Sequence, residues 1–347
     1  MYWIEKANRV WKALADDESR RIYDLWFEYL ALRDEDKFCL SINELYDDWV
    51  RPEELDDADR EAPLIICGCG RDGILTEKLL IKWGYGIQCF TDRRKKGNID
   101  GIDIITLDQS IKSYKTTKSR FVVASRQFAE EIHHELLTYG IESSRIIVPK
   151  YGRLVASRGK QYYDVYQAEG NETFIDAGTY DGETISEFVK WTKGNFNRVI
   201  AIEPIYENYV RIVEKFKSDK RIIVNNNAAW NSKESINFSE DGAGSSQDNN
   251  GAICVQGISI DELIEEKRVE KVTYIKMDIE GSELQALLGA RRVISKDKPK
   301  LAICLYHKPF DFIELGDAIL DFCPDYRFVI RHYNSNMWET VLYAKVK

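Results

Sequence analysis

Residues 173–184 read TFIDAGTYDGET. Thr173 to Ala177 is a short, mostly apolar run of strand length, and Gly178 and Gly182 bracket a tight turn that opens toward a helix. A strand ending near an acid and running into a glycine turn is the first piece of an α/β sheet with helical crossovers. Outward from it the theme repeats: RVIAIEP (198–204), RIIVNNNAA (221–229), TYIKMD (273–278), KLAICLYH (300–307), YRFVIRHY (326–333) and ETVLYAKV (339–346) all read as strands. The last two are joined only by NSNMW, too short for a parallel crossover, so they form an antiparallel hairpin. ICVQGIS (253–259) is an accessory strand, and Ser259 and Glu262 stand at capping-box spacing before a helix. Asn231 to Gly251, polar and rich in Gly, Ser and Asn, reads as a mobile loop or lid candidate.

Upstream, LIIC (64–67), IQCFTD (87–92), RFVVAS (120–125) and RIIVP (145–149) alternate with helical stretches and predict a smaller parallel sheet. Before that, Trp3, Ala7, Val10, Trp11 and Leu14 share one helical face, and Ile22, Leu25, Trp26 and Tyr29 another, with Asp16, Asp17 and Ser19 as caps between them. RPEELDDADREA (51–62) reads as a linker. The expected organisation is a helical N-terminal segment and linker (1–61), a small Rossmann-like α/β domain (62–150) and a larger α/β domain (151–347).

The composition, 44% hydrophobic and 31% charged over 347 residues, excludes a disordered or fibrous chain. The formal charge of −9 argues against phosphate-backbone binding, so no nucleic-acid partner is expected. No stretch approaches the roughly 20 apolar residues that span a bilayer, and the charged N-terminus does not suit a signal peptide. Seven cysteines without a CxxC pair read as reduced thiols, and the chain is expected in the cytoplasm.

In an open parallel sheet ligands sit beyond the carboxyl ends of the strands. The polar residues of the larger domain gather there: Asp176, Glu203, Asn226 and Asn227, Asp278 and Glu280, His307 and Lys308. A glycine turn lets a ligand approach the backbone, and an acid ending the second strand can accept both hydroxyls of a ribose. Taken alone this suits a dinucleotide or S-adenosylmethionine. The antiparallel last strand and the lack of a full GxGxxG favour the sulfonium, whose positive end would sit near Asp176 or Asp181.

FIDAGTYDGET, AIEP, NAAW, SIDEL, YIKMDIEGSE, LYHK and RHYNSNMWETVLYA, in that order and preceded by QYYD (161–164), resemble the FkbM family of S-adenosylmethionine-dependent methyltransferases. The resemblance implies a class I methyltransferase fold, a seven-stranded Rossmann-like sheet with the last strand antiparallel, and O-methylation of sugars or other hydroxylated compounds. It implies that Asp176, Gly178, Thr179, Tyr180, Asp181 and Gly182 form the cofactor turn, that Glu203 binds ribose, and that Asn227 and Ala228 lie near the adenine. Asp278, Glu280 and Glu283 belong to the acidic signature, and His307 faces the acceptor with Glu280, Tyr306, Lys308 and His332 around it.

Methyl transfer to a hydroxyl requires in-line geometry and a proton acceptor. His307 is the expected base, because an imidazole titrates near neutrality, and Asp278 is the second choice. A divalent metal on Asp278, Glu280 and His307 is an alternative way to acidify the hydroxyl. His332 either lines the same pocket or bonds only to backbone. The acceptor is expected to be a small-molecule or carrier-linked sugar, and a homo-oligomer is compatible with the sequence.

In the small domain GCGRDG (68–73) follows a strand and precedes a helix, and Asp92 ends the next strand. Gly68, Gly70, Gly73 and Asp92 therefore form a candidate nucleotide site, to hold a nucleotide-linked or carrier-linked sugar. This stretch also resembles small Rossmann-like domains attached to sugar-modifying enzymes. The counter-reading is a nucleotide fold that serves only as scaffold or dimer surface. Two other functions compete: a nicotinamide-dependent sugar oxidoreductase using GCGRDG and Asp92, which lacks a YxxxK dyad, and a cofactor-binding adaptor without turnover.

Overall fold

A computed structural model describes residues 2–46, 55, 61–149, 160–238 and 253–346. The chain forms two compact units, one of Met1–Arg33 with Ser157–Lys347 and one of Asp34–Ala156. No described helix is long and apolar enough to cross a membrane.

The first two helices, α1 (Tyr2–Ala13) and α2 (Asp17–Leu32), belong to the larger unit. Asp16 caps α2 by accepting the Ser19 N–H at 2.8 Å, and Arg331 reaches the same carboxylate at 2.7 Å. Ala7, Val10, Ile22 and Trp26 are buried as the periodicity predicts, whereas Trp3 and Trp11 flank the apolar stripe and stay about 40% exposed. The N-terminal helices are thus not one segment: α3 (Glu35–Tyr46) goes with the smaller unit. Helical periodicity marks an apolar face but not the distant surface that covers it.

The smaller unit continues with β1 (Leu64–Cys67), α4 (Arg71–Lys82), β2 (Ile87–Thr91), β3 (Gly97–Ile99), β4 (Ile102–Ile105), α5 (Leu107–Thr117), β5 (Arg120–Val123), α6 (Ala129–Thr138) and β6 (Ile146–Ile147). Its sheet has the order β3-β4-β2-β1-β5-β6 and is parallel except for the β3–β4 hairpin. That hairpin turns on Asp100 and Gly101, both at positive φ (49° and 86°), the Asp-Gly pair that a two-residue turn favours. The linker expected over 51–62 lies almost wholly outside the described residues.

The larger unit is built on β7 (Glu172–Ala177), α7 (Glu183–Trp191), β8 (Phe196–Ile202), α8 (Tyr206–Phe216), β9 (Ile222–Asn225), β13 (Tyr274–Met277), α10 (Glu283–Leu288), α11 (Arg291–Asp297), β14 (Lys300–Cys304), α12 (Asp311–Phe322), β15 (Tyr326–His332) and β16 (Thr340–Val346). Strand order is β15-β16-β14-β13-β7-β8-β9, with β16 antiparallel to both neighbours and the other strands parallel. The class I topology expected from the sequence is the one observed. Between β9 and β13 lie β10 (Ala228–Trp230), β11 (Ser235–Phe238), β12 (Ile253–Ser259) and α9 (Ile260–Glu266), the three strands forming a separate sheet. β11 falls within the expected loop, and residues 239–251 of that candidate lid lie outside the described residues.

All six residues of β7 are buried, as the central strand of a sheet covered on both faces must be. On one face Phe174 stacks on Phe188 at 4.5 Å and packs with Tyr163 and Tyr274, and Phe188 packs in turn on Trp191. Each such ring contributes about 1.5–3 kcal/mol through burial. This packing fixes the strand ends on which the site is built.

Candidate active site

The turn after β7 comes first. Gly178 has φ 79°, and a Cβ there would sit 1.9 Å from the Asp278 carbonyl oxygen, so no other residue fits without moving the backbone. Tyr180, at φ 52°, donates its N–H to Glu203 Oε2 at 3.0 Å. Glu203 stands just beyond β8, and its Oε1 accepts from Ile205 N–H and Asn208 Nδ2 at 3.0 and 3.2 Å. Burial pushes the Glu203 carboxyl upward, opposed by those three hydrogen bonds. A cavity of about 240 Å³ opens where these groups meet, lined by Gly178, Tyr180, Glu203, Asn208, Ala228, Asp278, Glu280, Tyr306 and Glu339, with Ile202, Pro204 and Ile205 as an apolar wall.

Beneath the turn lies a group the sequence reading passed over. Lys276 is 2% exposed, and the parallel register of β13 on β7 sets it directly across from Asp176. Its Nζ donates to the Gly178 carbonyl at 2.7 Å and pairs with Asp176 Oδ1 at 3.4 Å. Burial works against the charge, but Asp176 and Asp278 outweigh it and raise the Lys276 pKa. The signal was there: a lysine in the middle of YIKM, an otherwise apolar strand, needs a buried partner.

Asp278, just after β13, accepts from Tyr162 Oη on Oδ2 and from Tyr306 Oη on Oδ1, both at 3.0 Å. Burial raises its pKa, yet Lys276, His307 and the Tyr162 bond hold it below the usual carboxylate value. Gln161 and Tyr162 come from QYYD; Gln161 donates to Glu339 Oε2 at 2.5 Å. Burial raises the carboxyls of Glu280 and Glu339 above the ordinary value.

His307 stands one layer behind the wall. Its Nδ1 is 2.9 Å from Glu283 Oε1, which also accepts the Ile279 N–H at 2.9 Å, and its Nε2 is 3.5 Å from both Asp278 and Glu280. Burial favours the neutral ring, but Glu283, Asp278 and Glu280 prevail and raise its pKa from 6.5 to about 9. The imidazole expected to titrate near neutrality thus sits in an acidic surround that favours its protonated form. A histidine whose folded pKa is raised stabilises the fold fully below pH 6.5 and loses that contribution as the pH climbs through about 9. Wild type should therefore exceed His307→Gln in urea unfolding by up to roughly 3 kcal/mol near pH 6, and the gap should close near pH 10. A gap that does not change with pH contradicts the assignment.

The other expected residues divide clearly. Gly178, Tyr180, Glu203, Ala228, Asp278, Glu280 and Tyr306 share the cavity wall. Asp176 lies under the turn, paired with Lys276, and Thr179 is buried beside it. Asp181 accepts the Glu183 N–H at 2.9 Å, and Gly182 makes room for Phe216, whose ring would meet a Cβ at 2.8 Å; both begin α7. Asn227 donates to Gln256 O at 3.2 Å, and the exposed Lys308 donates its own N–H to Asp311. His332 is 2% exposed, its Nδ1 2.7 Å from Thr340 Oγ1, and burial lowers its pKa to about 4. It is a core residue, because it shares the buried face of β15 with Tyr326, Phe328 and Ile330. Asn208 and Glu339 complete the wall without having been anticipated.

Among the described residues the acids and histidine close enough to share a cation are Asp278, Glu283 and His307, with one ligand atom of each within 4.8 Å of the others. Glu280, expected in that role, is not among them. Glu283 Oε1 already serves Ile279 N–H and the His307 ring, and both Asp278 oxygens accept tyrosine hydroxyls. Glu283 Oε2 keeps no hydrogen-bond partner among the described residues, but both Asp278 oxygens are taken by tyrosines and Glu280 stands outside the set, so the cation site expected on Asp278, Glu280 and His307 is not assembled.

Residues 176–330 match the family model of the methyltransferase FkbM domain. None of the curated proteins matches the chain. Among solved structures, methyltransferase FkbM from Methylobacillus flagellatus is similar at 22% identity with a TM-score of 0.50, covering 91% of this chain and 99% of that one. Fibrillarin from Aeropyrum pernix, solved with natively bound S-adenosyl-L-methionine, is similar at 12% identity with a TM-score of 0.34, over 51% of this chain and 66% of that one. The first likeness is one of fold.

Proposed function

We propose that the chain, whose residues 176–330 match the FkbM methyltransferase domain, transfers a methyl group from S-adenosylmethionine to a hydroxyl of a sugar or glycan precursor. The observation that carries the reading is the meeting of Gly178, Glu203 and Asp278 on one cavity at the carboxyl ends of β7, β8 and β13. Glu203, fixed by three donors, keeps one lone pair on Oε2 for a ribose hydroxyl. Ile202, Pro204, Ile205 and Ala228 offer an apolar wall to the adenine. S-adenosylmethionine supplies an electrophilic methyl group on sulfur, and the carboxylates of Asp278, Glu280 and Glu339 favour its positive charge.

The same acids and the Tyr306 hydroxyl suit a polyhydroxylated acceptor, whose O–H groups donate to them. In-line orientation of that oxygen can supply about 7–11 kcal/mol of the barrier reduction. We read Glu280 as the proton acceptor, since it lines the cavity and its pKa is raised, whereas Asp278 is held low. His307 then serves as a fixed positive charge that positions Glu280 rather than as the base. The acidic wall and the net charge of −9 disfavour a nucleic-acid acceptor. The free thiols suit the cytoplasm.

The test is transfer of labelled methyl from S-adenosylmethionine to a panel of methyl glycosides and nucleotide sugars, with RNA and protein hydrolysate alongside. Label on a sugar is expected. Label on RNA or protein alone overturns the acceptor class.

A further inference from the structure

We propose that the smaller unit holds a second ligand site, built for a nucleoside diphosphate group. The chain runs from β1 to β2 on one side and returns to β5 on the other, so a crevice opens at the carboxyl ends of β1 and β5, where open α/β sheets bind ligands. A cavity of about 450 Å³ lies there, within the range of small-molecule sites. Its floor is the turn after β1. Gly68 has φ 104°, and a Cβ on Gly73 would meet the Gly68 carbonyl oxygen at 2.1 Å, so α4 starts hard against that turn. Gly70 precedes α4 without a side-chain cap, and a Cβ there would meet nothing within 4 Å, which leaves room over the first helical N–H groups.

The second argument is internal to the protein. Asp92, just beyond β2, accepts the Cys69 N–H of the glycine turn at 3.2 Å and the Arg94 and Lys95 N–H groups at 2.8 and 2.9 Å. Glu203 acts in a similar way in the larger unit, accepting the Tyr180 N–H of its glycine turn, one position further on than Cys69, and the Ile205 N–H two residues beyond itself, as Arg94 is from Asp92. Both carboxylates are aimed by backbone donors at a cavity beyond the first strand, in the place a ribose would take.

Charge separates the two ligands. The larger unit's cavity is lined by Glu203, Asp278, Glu280 and Glu339 without a Lys or Arg, which suits a sulfonium; the smaller one sets Arg71, Arg93 and Arg94 among Asp72, Asp92, Glu131 and Glu135, so it has guanidinium groups to offer a phosphate. Arg93 is held by Glu131 and Glu135 at 2.6 Å each, exposed pairs of the kind worth little, so its guanidinium can turn to phosphate oxygens. Asp72, also on the wall, is engaged by the Arg126 N–H at 3.1 Å. Leu107, Ile132 and the half-exposed Phe128 provide the apolar face on which a base can lie.

Calorimetric titration of the full chain with ADP, UDP, NAD and UDP-glucose tests the site, with inorganic pyrophosphate and adenosine as the separate halves. Saturable binding of ADP or UDP is expected, weakened about tenfold or more by Arg94→Ala and by Phe128→Ala, while S-adenosylhomocysteine affinity stays unchanged in both. The NAD and UDP-glucose arms tell whether the diphosphate comes from a dinucleotide or a nucleotide sugar. Folded protein that binds none of the four at millimolar concentration overturns the proposal, as does binding that survives both substitutions. Neither result depends on the methyltransferase reading, which S-adenosylhomocysteine reports separately.

Discussion

Lys276→Met is expected to cost roughly 3–5 kcal/mol of folding stability and most of the affinity for S-adenosylhomocysteine, although Lys276 does not line the cavity. The residue is a fully buried cation between Asp176 and Asp278, and it grips the Gly178 carbonyl at 2.7 Å. Methionine fills the same volume but leaves Asp176, which is 0% exposed, as a buried carboxylate without its counter-charge. Removing one partner of a buried pair is the costly case; replacing both is much milder. Asp176→Asn combined with Lys276→Met should therefore recover part of the stability that the single change loses. It should not recover the affinity, because the Gly178 turn remains unheld. Urea unfolding and calorimetry on both variants separate the two effects. Lys276→Met with wild-type stability and affinity would mean that the pair neither holds the fold nor positions the turn.

The sheet was legible because its strands are short apolar runs bounded by turns, and the cavity because acids stand at strand ends. What escaped depends on facts that pattern alone does not carry. Lys276 looked like a polar interruption until the register placed it opposite Asp176. Asp176 looked like a ligand because it ends a strand, yet it is buried within a covered sheet, and Gly178 of the turn above it lines the cavity instead. His332 is different: alternation along YRFVIRH already put it on the buried face with Tyr326, Phe328 and Ile330. Asp100-Gly101 likewise announced a hairpin that the reading passed over. The division of the N-terminal helices between two units rests on contacts far apart in sequence, which no local period reveals.

The methyltransferase account depends on one cavity receiving the cofactor with its ribose on Glu203. Alanine at that position removes the ribose acceptor and leaves the Tyr180 N–H without its carboxylate partner. Calorimetric titration with S-adenosylhomocysteine, on wild type and Glu203→Ala matched for secondary structure, is the direct measurement. The account expects saturable one-to-one binding to wild type and a loss of roughly 1–3 kcal/mol in the variant, about fivefold to 150-fold in affinity. Equal affinity in both proteins would contradict it.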